Sequence, residues 1–442
     1  MNKVTVITSK SYVHRLLIAA ALCGEKISVV TNIVSDDMKA TANALTSLGA
    51  HVTIAPFGEG YEIIMGHDDG GFTENGCESS MIDCGESGST ARFIMPLAAY
   101  AAGTATLTGS GRLPERPMGP LCDVLRRAGA GVSGDHLPIT VSGKLHSGEY
   151  EIPGNVSSQY ITGLLFTLPL LEGDSRLIIK GGFESAAYVD MTVDVLEKFG
   201  VRVIKDDSGY VIPGGQKYRF EDQGGQSGQD TRRIVAEGDW SNAAYLIAPA
   251  VLGRSKGIDG LRIGGLNPSS IQGDRAIIGI LNGFGVSAEY DSASSEYAIQ
   301  GSPSMPVDVD CSQIPDLVPA LSVMAAYVKG DSVFRNVERL RVKECDRADA
   351  IKKLLEAVGV SVYITSRDGH EDLTVCGNGL ADPGSDPVLC GFGDHRMVMA
   401  AAAIAFALDR PVTITDSKAV NKSYPGFFDI TEKMGLKTCH LQ

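Results

Sequence analysis

Apolar and polar positions along this chain of 442 residues fall into a pattern written six times. Each copy holds a run that is apolar nearly all round: LLIAAAL, IMPLAAYAA, LLFTLPLL, YLIAPAVL, ALSVMAAYV and MAAAAIAFAL. Such a run predicts a helix buried on most of its surface. A second run in each copy is amphipathic. In LCDVLRRAG and IKKLLEAVG the apolar residues recur at i, i+3 and i+4, which predicts a surface helix. Between them lie β-branched stretches such as KISVVTN, TATLTGS, SRLIIKG and PVTITDS, which read as strands. The first helices close at Gly24, Gly103, Gly173, Gly253 and Gly330, with Asp409 standing in for the sixth. The second close at Gly49, Gly129, Gly200, Gly285, Gly359 and Gly435. Glycine at these points predicts left-handed C-caps leading into strands.

The second closures recur every 71 to 85 residues, too long for a solenoid unit of about 20 to 45 residues. Three copies fill a comfortable domain, so six predict an α/β protein of two similar domains with three repeats each. Each repeat parses as strand, helix, strand, helix, strand, with a further strand in several copies. The third copy ends near Pro213, and residues 214–230, GGQKYRFEDQGGQSGQD, break the pattern and read as a linker.

A net charge of −14 argues against a general nucleic-acid or anionic-membrane surface, so any basic cluster is a local exception that calls for a reason. The nine cysteines are scattered and form no CxxC pair, which fits reduced thiols in a cytoplasm. The amino terminus MNKVTVITSK enters a strand-like alternation without signal-peptide form. The longest apolar run, Met397 to Leu408, is twelve residues, too short to span a bilayer. The histidines and cysteines show no metal-binding spacing, so no metal is expected.

Polar residues cluster where the apolar helices begin. Lys10 and Ser11, with Arg15 one turn on, form either an anion pocket at a helix start or a plain cap with solvent-facing cations. CGESGSTARF places Gly88 and Ser89 in a glycine turn, either a phosphate or carboxylate cradle or a structural turn; it is not a Walker motif. Arg116 in LPERPMG is presented by the proline after it, or is a loop ion pair. Ser157, Ser158 and Gln159 in VSSQY offer more hydrogen-bonding groups than capping needs. LRVKECDR packs Lys343, Glu344, Asp346 and Arg347 before an amphipathic helix, where a solvated charged face is the ordinary alternative. Asp316 stands at the mouth of an apolar helix as an N-cap or a general base. Asp394, His395 and Arg396 open the most apolar helix, where burial is costly unless they are paired or used. Lys418 and Lys422 follow in DSKAVNKSYPGFF. Together these residues predict a cationic cleft between two domains, sized for substrates with several negative charges, with Asp316 and Glu344 as its acids.

In order along the chain, SKS…R, GESGSTAR, ERPMG, SSQY, ESAAYVD, EGD, IPD, RVKECDR, DHRM and KSYPGFF resemble the 5-enolpyruvylshikimate-3-phosphate synthase family over essentially the whole length. The resemblance implies two domains of three βαβαββ units each, 9–236 and 1–8 plus 237–442, with the second crossing near Glu237. It implies transfer of the enolpyruvyl group of phosphoenolpyruvate to the 5-hydroxyl of shikimate 3-phosphate, with release of phosphate. No metal or organic cofactor is expected, and a cytoplasmic monomer with only small anionic substrates as partners. By the resemblance, Lys10, Ser11, Arg15, Ser157, Ser158, Gln159, Ser185, Asp316 and Lys343 hold shikimate 3-phosphate. Lys10, Gly88, Arg116, Gln159, Arg347, Arg396 and Lys422 hold phosphoenolpyruvate. Asp316 takes the proton of the 5-hydroxyl, Glu344 protonates the methylene, and Lys10 completes the catalytic set.

The chain departs from the commonest pattern at Glu86 (usually Asn), Phe93 (often Pro) and Arg339 (often Asn). Gly88 leaves room that in this family accompanies sensitivity to glyphosate. Two other readings remain. A sister enolpyruvyl transferase acting on UDP-N-acetylglucosamine carries a reactive loop cysteine, whereas no cysteine occurs here between Cys84 and Cys122. A non-catalytic sugar-phosphate-binding repeat protein would have no use for two carboxylates among its cations.

Overall fold

The computed structural model describes residues 2–67, 72, 79–220, 232–253, 257–381, 383–408 and 410–438. Two compact units emerge, Lys10–Ala236 and Met1–Ser9 with Glu237–Gln442. The division lies one residue beyond the expected 1–8, because Ser9 donates its N–H to Glu237 O at 2.7 Å and its hydroxyl to Gln272 Oε1 at 3.2 Å.

The unit Lys10–Ala236 contains helices α1 (Lys10–Cys23), α2 (Asp36–Ser47), α3 (Gly88–Ala101), α4 (Gly119–Arg127), α5 (Ser158–Thr167) and α6 (Ala186–Lys198). Its three sheets share one plan: a parallel pair extended by an antiparallel hairpin. Ser80–Asp83 runs parallel to Thr104–Thr108, and Glu149–Pro153 parallel to Ser175–Lys180. In the first sheet the parallel partner of Ile27–Thr31 is Arg232–Val235, from the far end of the unit. Residues 214–220 do not link domains, contrary to expectation. Gly215 N–H donates to Leu171 O, the Tyr218 hydroxyl to Phe166 O and Arg219 N–H to Phe199 O, which holds the segment on the third repeat. The rest of the expected linker, from 221 onward, lies outside the described residues, as does Asp409.

The other unit adds α7 (Trp240–Leu252), α8 (Ile277–Gly283), α9 (Val318–Tyr327), α10 (Arg347–Glu356), α11 (His395–Ala407) and α12 (Phe427–Lys433). Here Asn2–Thr5 supplies the parallel partner of Leu261–Gly264, so each unit's first sheet is completed by a strand distant in sequence. Asp308–Asp310 pairs parallel with Lys329–Arg335. The sixth repeat has only the short parallel pair Val388–Leu389 and Thr413–Ile414, with no hairpin among the described residues.

The predicted division of labour between helices holds. All thirteen residues of α7 are buried, as are Tyr12–Cys23 of α1 and His395–Phe406 of α11. Each large apolar side chain so buried contributes about 1.5–3 kcal/mol. Helices α7, α9 and α11 pack on one another, and α3 packs on α5. That last contact needs Gly163: a Cβ there would lie 2.4 Å from Arg92 O. The second helices all end on glycines with positive φ, from 69° at Gly200 to 112° at Gly435. Of the first closures, Gly24 and Gly330 have positive φ, and Gly330 already lies in the strand Lys329–Arg335 that follows α9. Ala102, Val328 and Leu408 instead end α3, α9 and α11 in extended backbone, so the chain passes straight into a strand and needs no left-handed residue.

Candidate active site

In the unit Lys10–Ala236, polar side chains gather at the starts of α1, α3, α5 and α6. Ser35 caps α2, and Asp37, one of the two acids in its first turn, pairs with Lys10 Nζ at 2.7 Å. Arg15 is 2% exposed; it donates through Nε to Thr192 Oγ1 at 2.9 Å and through Nη1 and Nη2 to Ser11 O and Tyr188 O, both at 2.7 Å. It thus ties Ser11 and α1 to α6. Burial brings its pKa down to about 10, still charged at neutral pH. The Phe93 ring lies 5.1 Å from the Arg15 guanidinium, which gives this departure from the family pattern a supporting role.

Ser87 caps α3 through Thr90 N–H, leaving Gly88 at the helix start. A Cβ on Gly88 would lie 2.5 Å from Arg116 Nη1, so the room at Gly88 is where this guanidinium lies. Arg116 follows the turn Leu113–Glu115 and is buried. Ser157 caps α5 through Gln159 N–H. Gln159 then bridges, donating from Nε2 to Ser89 Oγ at 2.8 Å and accepting from Arg92 Nη1 at 2.6 Å. Ser158 is buried beside it, and Ser185 is buried with φ 52° at the start of α6. Arg92, the arginine of GESGSTAR, orients Gln159, a contact that only the fold brings about. Glu86 lies against Gly111, whose φ is 56° and whose Cβ would fall 2.5 Å from the Glu86 carboxyl carbon.

The other unit assembles a buried ionic cluster. Arg347, 1% exposed, reaches three acids. Its Nη1 meets Asp316 Oδ1, its Nη2 Glu344 Oε2 and its Nε Asp394 Oδ2, each at 2.7 Å. Asp316 also takes Lys343 Nζ on Oδ1 and Arg396 Nη2 on Oδ2, both at 3.1 Å. Local structure positions all of them. Asp346 caps α10 so that Arg347 is its first residue, and Asp394 caps α11 through Arg396 N–H. Lys422 donates to Gly393 O at 3.0 Å, next to that cap. Arg341, by contrast, turns to Glu371 and Asp346. Lys343, Glu344 and Arg347 of the RVKECDR run therefore face inward, whereas Arg341 and Asp346 stay partly exposed.

Burial works to raise the Asp316 carboxyl, but Arg396, Lys343 and Arg347 outweigh it and hold the group well below the usual carboxylate range. Burial lowers Lys343 to about 8, with Asp316 opposing and Arg347 and Arg339 assisting. Lys343 is therefore charged below pH 8 and loses its charge above it. If it grips an anionic substrate, the KM for that substrate should rise about tenfold per pH unit above 8. Lys343→Arg should remove the inflection, and a flat KM between pH 7 and 9.5 in the wild type would contradict it.

Copy four, the least charged in sequence, is tied to the same cluster. Asp239 caps α7 through Asn242 N–H, and the Ser241 hydroxyl donates to Asp274 Oδ2. The Tyr245 hydroxyl donates to Asp316 O at 3.1 Å. Nothing in the hydrophobic period marks Asp274, an acid in a turn far along the chain from Asp316. Among the described residues no group of three or more His, Cys, Asp or Glu suited to a metal ion occurs.

A model of the family described as EPSP synthase (3-phosphoshikimate 1-carboxyvinyltransferase) matches residues 1–431. Curated relatives carrying the name 3-phosphoshikimate 1-carboxyvinyltransferase include one from Clostridium novyi, 37% identical over 98% of this chain and 95% of its own length. Another, from Methanococcoides burtonii, is 35% identical over 97% and 94%. In fold the chain is similar to EPSP synthase from Acinetobacter baumannii, with TM-score 0.73, 23% identity and coverage of 98% and 96%. It is also similar in fold to the enolpyruvyl transferase NikO from Streptomyces tendae, with TM-score 0.70, 16% identity and coverage of 98% and 94%. With a family match over nearly its full length and curated relatives above 30% identity, this chain belongs to the EPSP synthase family.

Proposed function

We propose that this chain transfers the enolpyruvyl group of phosphoenolpyruvate to the 5-hydroxyl of shikimate 3-phosphate and releases phosphate, a step toward chorismate and the aromatic amino acids. The observation that carries the reading is Asp316, a carboxylate with its side chain only 15% exposed, held by Lys343, Arg347 and Arg396, with Glu344 on the same Arg347. Family membership supports it independently.

In this scheme the 5-oxygen attacks C2 of phosphoenolpyruvate while Asp316 takes the hydroxyl proton. Glu344 delivers a proton to the methylene carbon. Phosphate then leaves with the C–O bonding electrons, and a proton lost from the new methyl group restores the double bond. The two substrates balance the reaction without a cofactor. Asp316 is a poor base while three cations hold its charge. Incoming phosphate and carboxylate groups draw those cations away and make it stronger when substrate is present. Lys343 and Asp316 would serve shikimate 3-phosphate, with Lys10, Ser11, Arg15, Ser157, Ser158, Gln159 and Ser185, and Arg15 also donates to Ser11 O. Arg347, Arg396 and Lys422 would serve phosphoenolpyruvate, with Lys10, Gly88, Arg116 and Gln159. These fixed cations would follow charge onto the departing phosphate.

The finer reading is a cytoplasmic monomer. The seven cysteines the structure describes are free thiols, and no described helix is long and apolar enough to cross a membrane. Light scattering giving the mass of a single chain would support the monomer. Function is tested by phosphate release from phosphoenolpyruvate with shikimate 3-phosphate, without acceptor, and with UDP-N-acetylglucosamine. Release only with shikimate 3-phosphate is expected; release with UDP-N-acetylglucosamine alone, or with no acceptor, overturns the reading. Millimolar glyphosate should inhibit, and an enzyme indifferent to it would contradict the room expected at Gly88.

A further inference from the structure

Two polar rungs join α1 to α2, one turn apart on both helices. Lys10 Nζ meets Asp37 Oδ2 at 2.7 Å, and His14 Nδ1 meets Thr41 Oγ1 at 2.6 Å. The second rung continues into α3. Thr41 Oγ1 lies 2.7 Å from Thr90 Oγ1, and the Thr90 hydroxyl donates to Ser87 Oγ at 2.8 Å. His14, Thr41, Thr90 and Ser87 are all buried. A row of polar groups in an apolar core is costly unless its bonds are made, and each bond then fixes a register that apolar packing leaves loose.

The row has a direction. A hydroxyl has one hydrogen to give. Thr90 gives its own to Ser87, so Thr41 donates to Thr90 and accepts from the ring. His14 therefore carries its proton on Nδ1. Its Nε2 is buried and meets no hydrogen-bonding group among the described residues, so the ring's polar tie is the one to Thr41. Burial first, then Lys10 and Arg15, hold the imidazole well below the ordinary histidine range, and it stays neutral. The Phe93 ring of α3 meets it edge-on, with centroids 6.3 Å apart.

The far end of the row is the start of α3. Ser87 Oγ also accepts from Thr90 N–H at 3.2 Å, which caps the helix. The next residues are Gly88, whose missing side chain leaves the space of Arg116 Nη1, and Ser89, which accepts from Gln159 Nε2. We propose that His14 is a positioning residue: through Thr41 and Thr90 it holds the Ser87 cap, and with it the start of α3, in register with the start of α1. An anion that draws Lys10 from Asp37 opens the first rung. The second, buried and uncharged, keeps the helices in place while the anion binds. This rests on the proposed enolpyruvyl transfer for the identity of the anion as phosphoenolpyruvate.

Nitrogen NMR of the histidine-labelled enzyme without substrate should show a neutral ring protonated on Nδ1 that does not titrate around neutral pH. His14→Asn should remove that signal. Thr41→Val keeps the shape but cuts the row, so the KM for phosphoenolpyruvate should rise about tenfold with kcat little changed. Thr41→Ser, which keeps the hydroxyl, should restore it. His14→Asn, whose amide N–H can replace Nδ1–H, should stay near wild type, whereas His14→Leu should match Thr41→Val; this pair carries the test if Thr41→Val fails to fold. A His14 ring protonated on Nε2, an unchanged KM in Thr41→Val, or equal losses in Thr41→Val and Thr41→Ser overturns the proposal. Should enolpyruvyl transfer itself fail, the ring signal and amide exchange at Thr90, faster in Thr41→Val but not in Thr41→Ser, still decide it.

Discussion

Replacing Arg347 by methionine is expected to remove stability and activity together. The guanidinium is 1% exposed and meets Asp316, Glu344 and Asp394 at 2.7 Å each. Methionine keeps much of the volume but leaves these acids without their shared cation. Breaking a buried ionic network from one side costs about 3–5 kcal/mol, because the orphaned charges stay buried. Asp316, which Arg347 helps hold below the usual carboxylate range, responds by binding a proton more readily, so its folded pKa rises. An acid whose folded pKa is raised costs the variant most above that pKa and nothing below its unfolded value, so the deficit should shrink as pH falls toward about 4. Urea denaturation at pH 7 and pH 4 measures both effects, and turnover should fall at least about 10³-fold. Arg347→Lys, which keeps the charge but loses the fork, should fall between. A methionine variant with unchanged urea midpoint would show that the network does not support the unit.

Asp316→Asn tests the chemistry through kcat. Asn keeps the shape and an acceptor oxygen but cannot take a proton at neutral pH. Loss of a general base lowers kcat by about 10²–10⁴-fold. The same change releases Lys343, Arg347 and Arg396 from a competing carboxylate, so KM for both anionic substrates should fall rather than rise. Steady-state kinetics with each substrate varied distinguishes this from general damage, which would raise KM. A variant retaining more than a tenth of wild-type kcat would remove Asp316 from its role.

The buried helices were legible because α7 and α11 are apolar on every face, and the second closures because a left-handed cap demands glycine at points such as Gly49 and Gly435. The first closures misled: Gly103 and Gly253 sit near helix ends without positive φ, since extended residues end several of those helices. Residues 214–220 looked like a linker because glycine and glutamine signal a turn, whereas Tyr218 anchors the segment in the third repeat. The cations of the site stood out against a chain of charge −14. Their partners did not. Arg92 reaches Gln159 across 67 positions of sequence, and Arg347 reaches Asp394 across 47. Asp274 carries no periodic signal, and only the packing of its turn against α7 brings it to the cluster.

The enolpyruvyl transfer itself is tested most directly by following phosphoenolpyruvate and shikimate 3-phosphate with the enzyme in D2O by phosphorus and proton NMR. Inorganic phosphate should appear one for one with a new enol ether at the 5-position, and its vinyl methylene should carry deuterium from protonation and return. Glu344→Gln should suppress both signals. Phosphate without the ether, or an ether formed at another hydroxyl, would contradict the assignment.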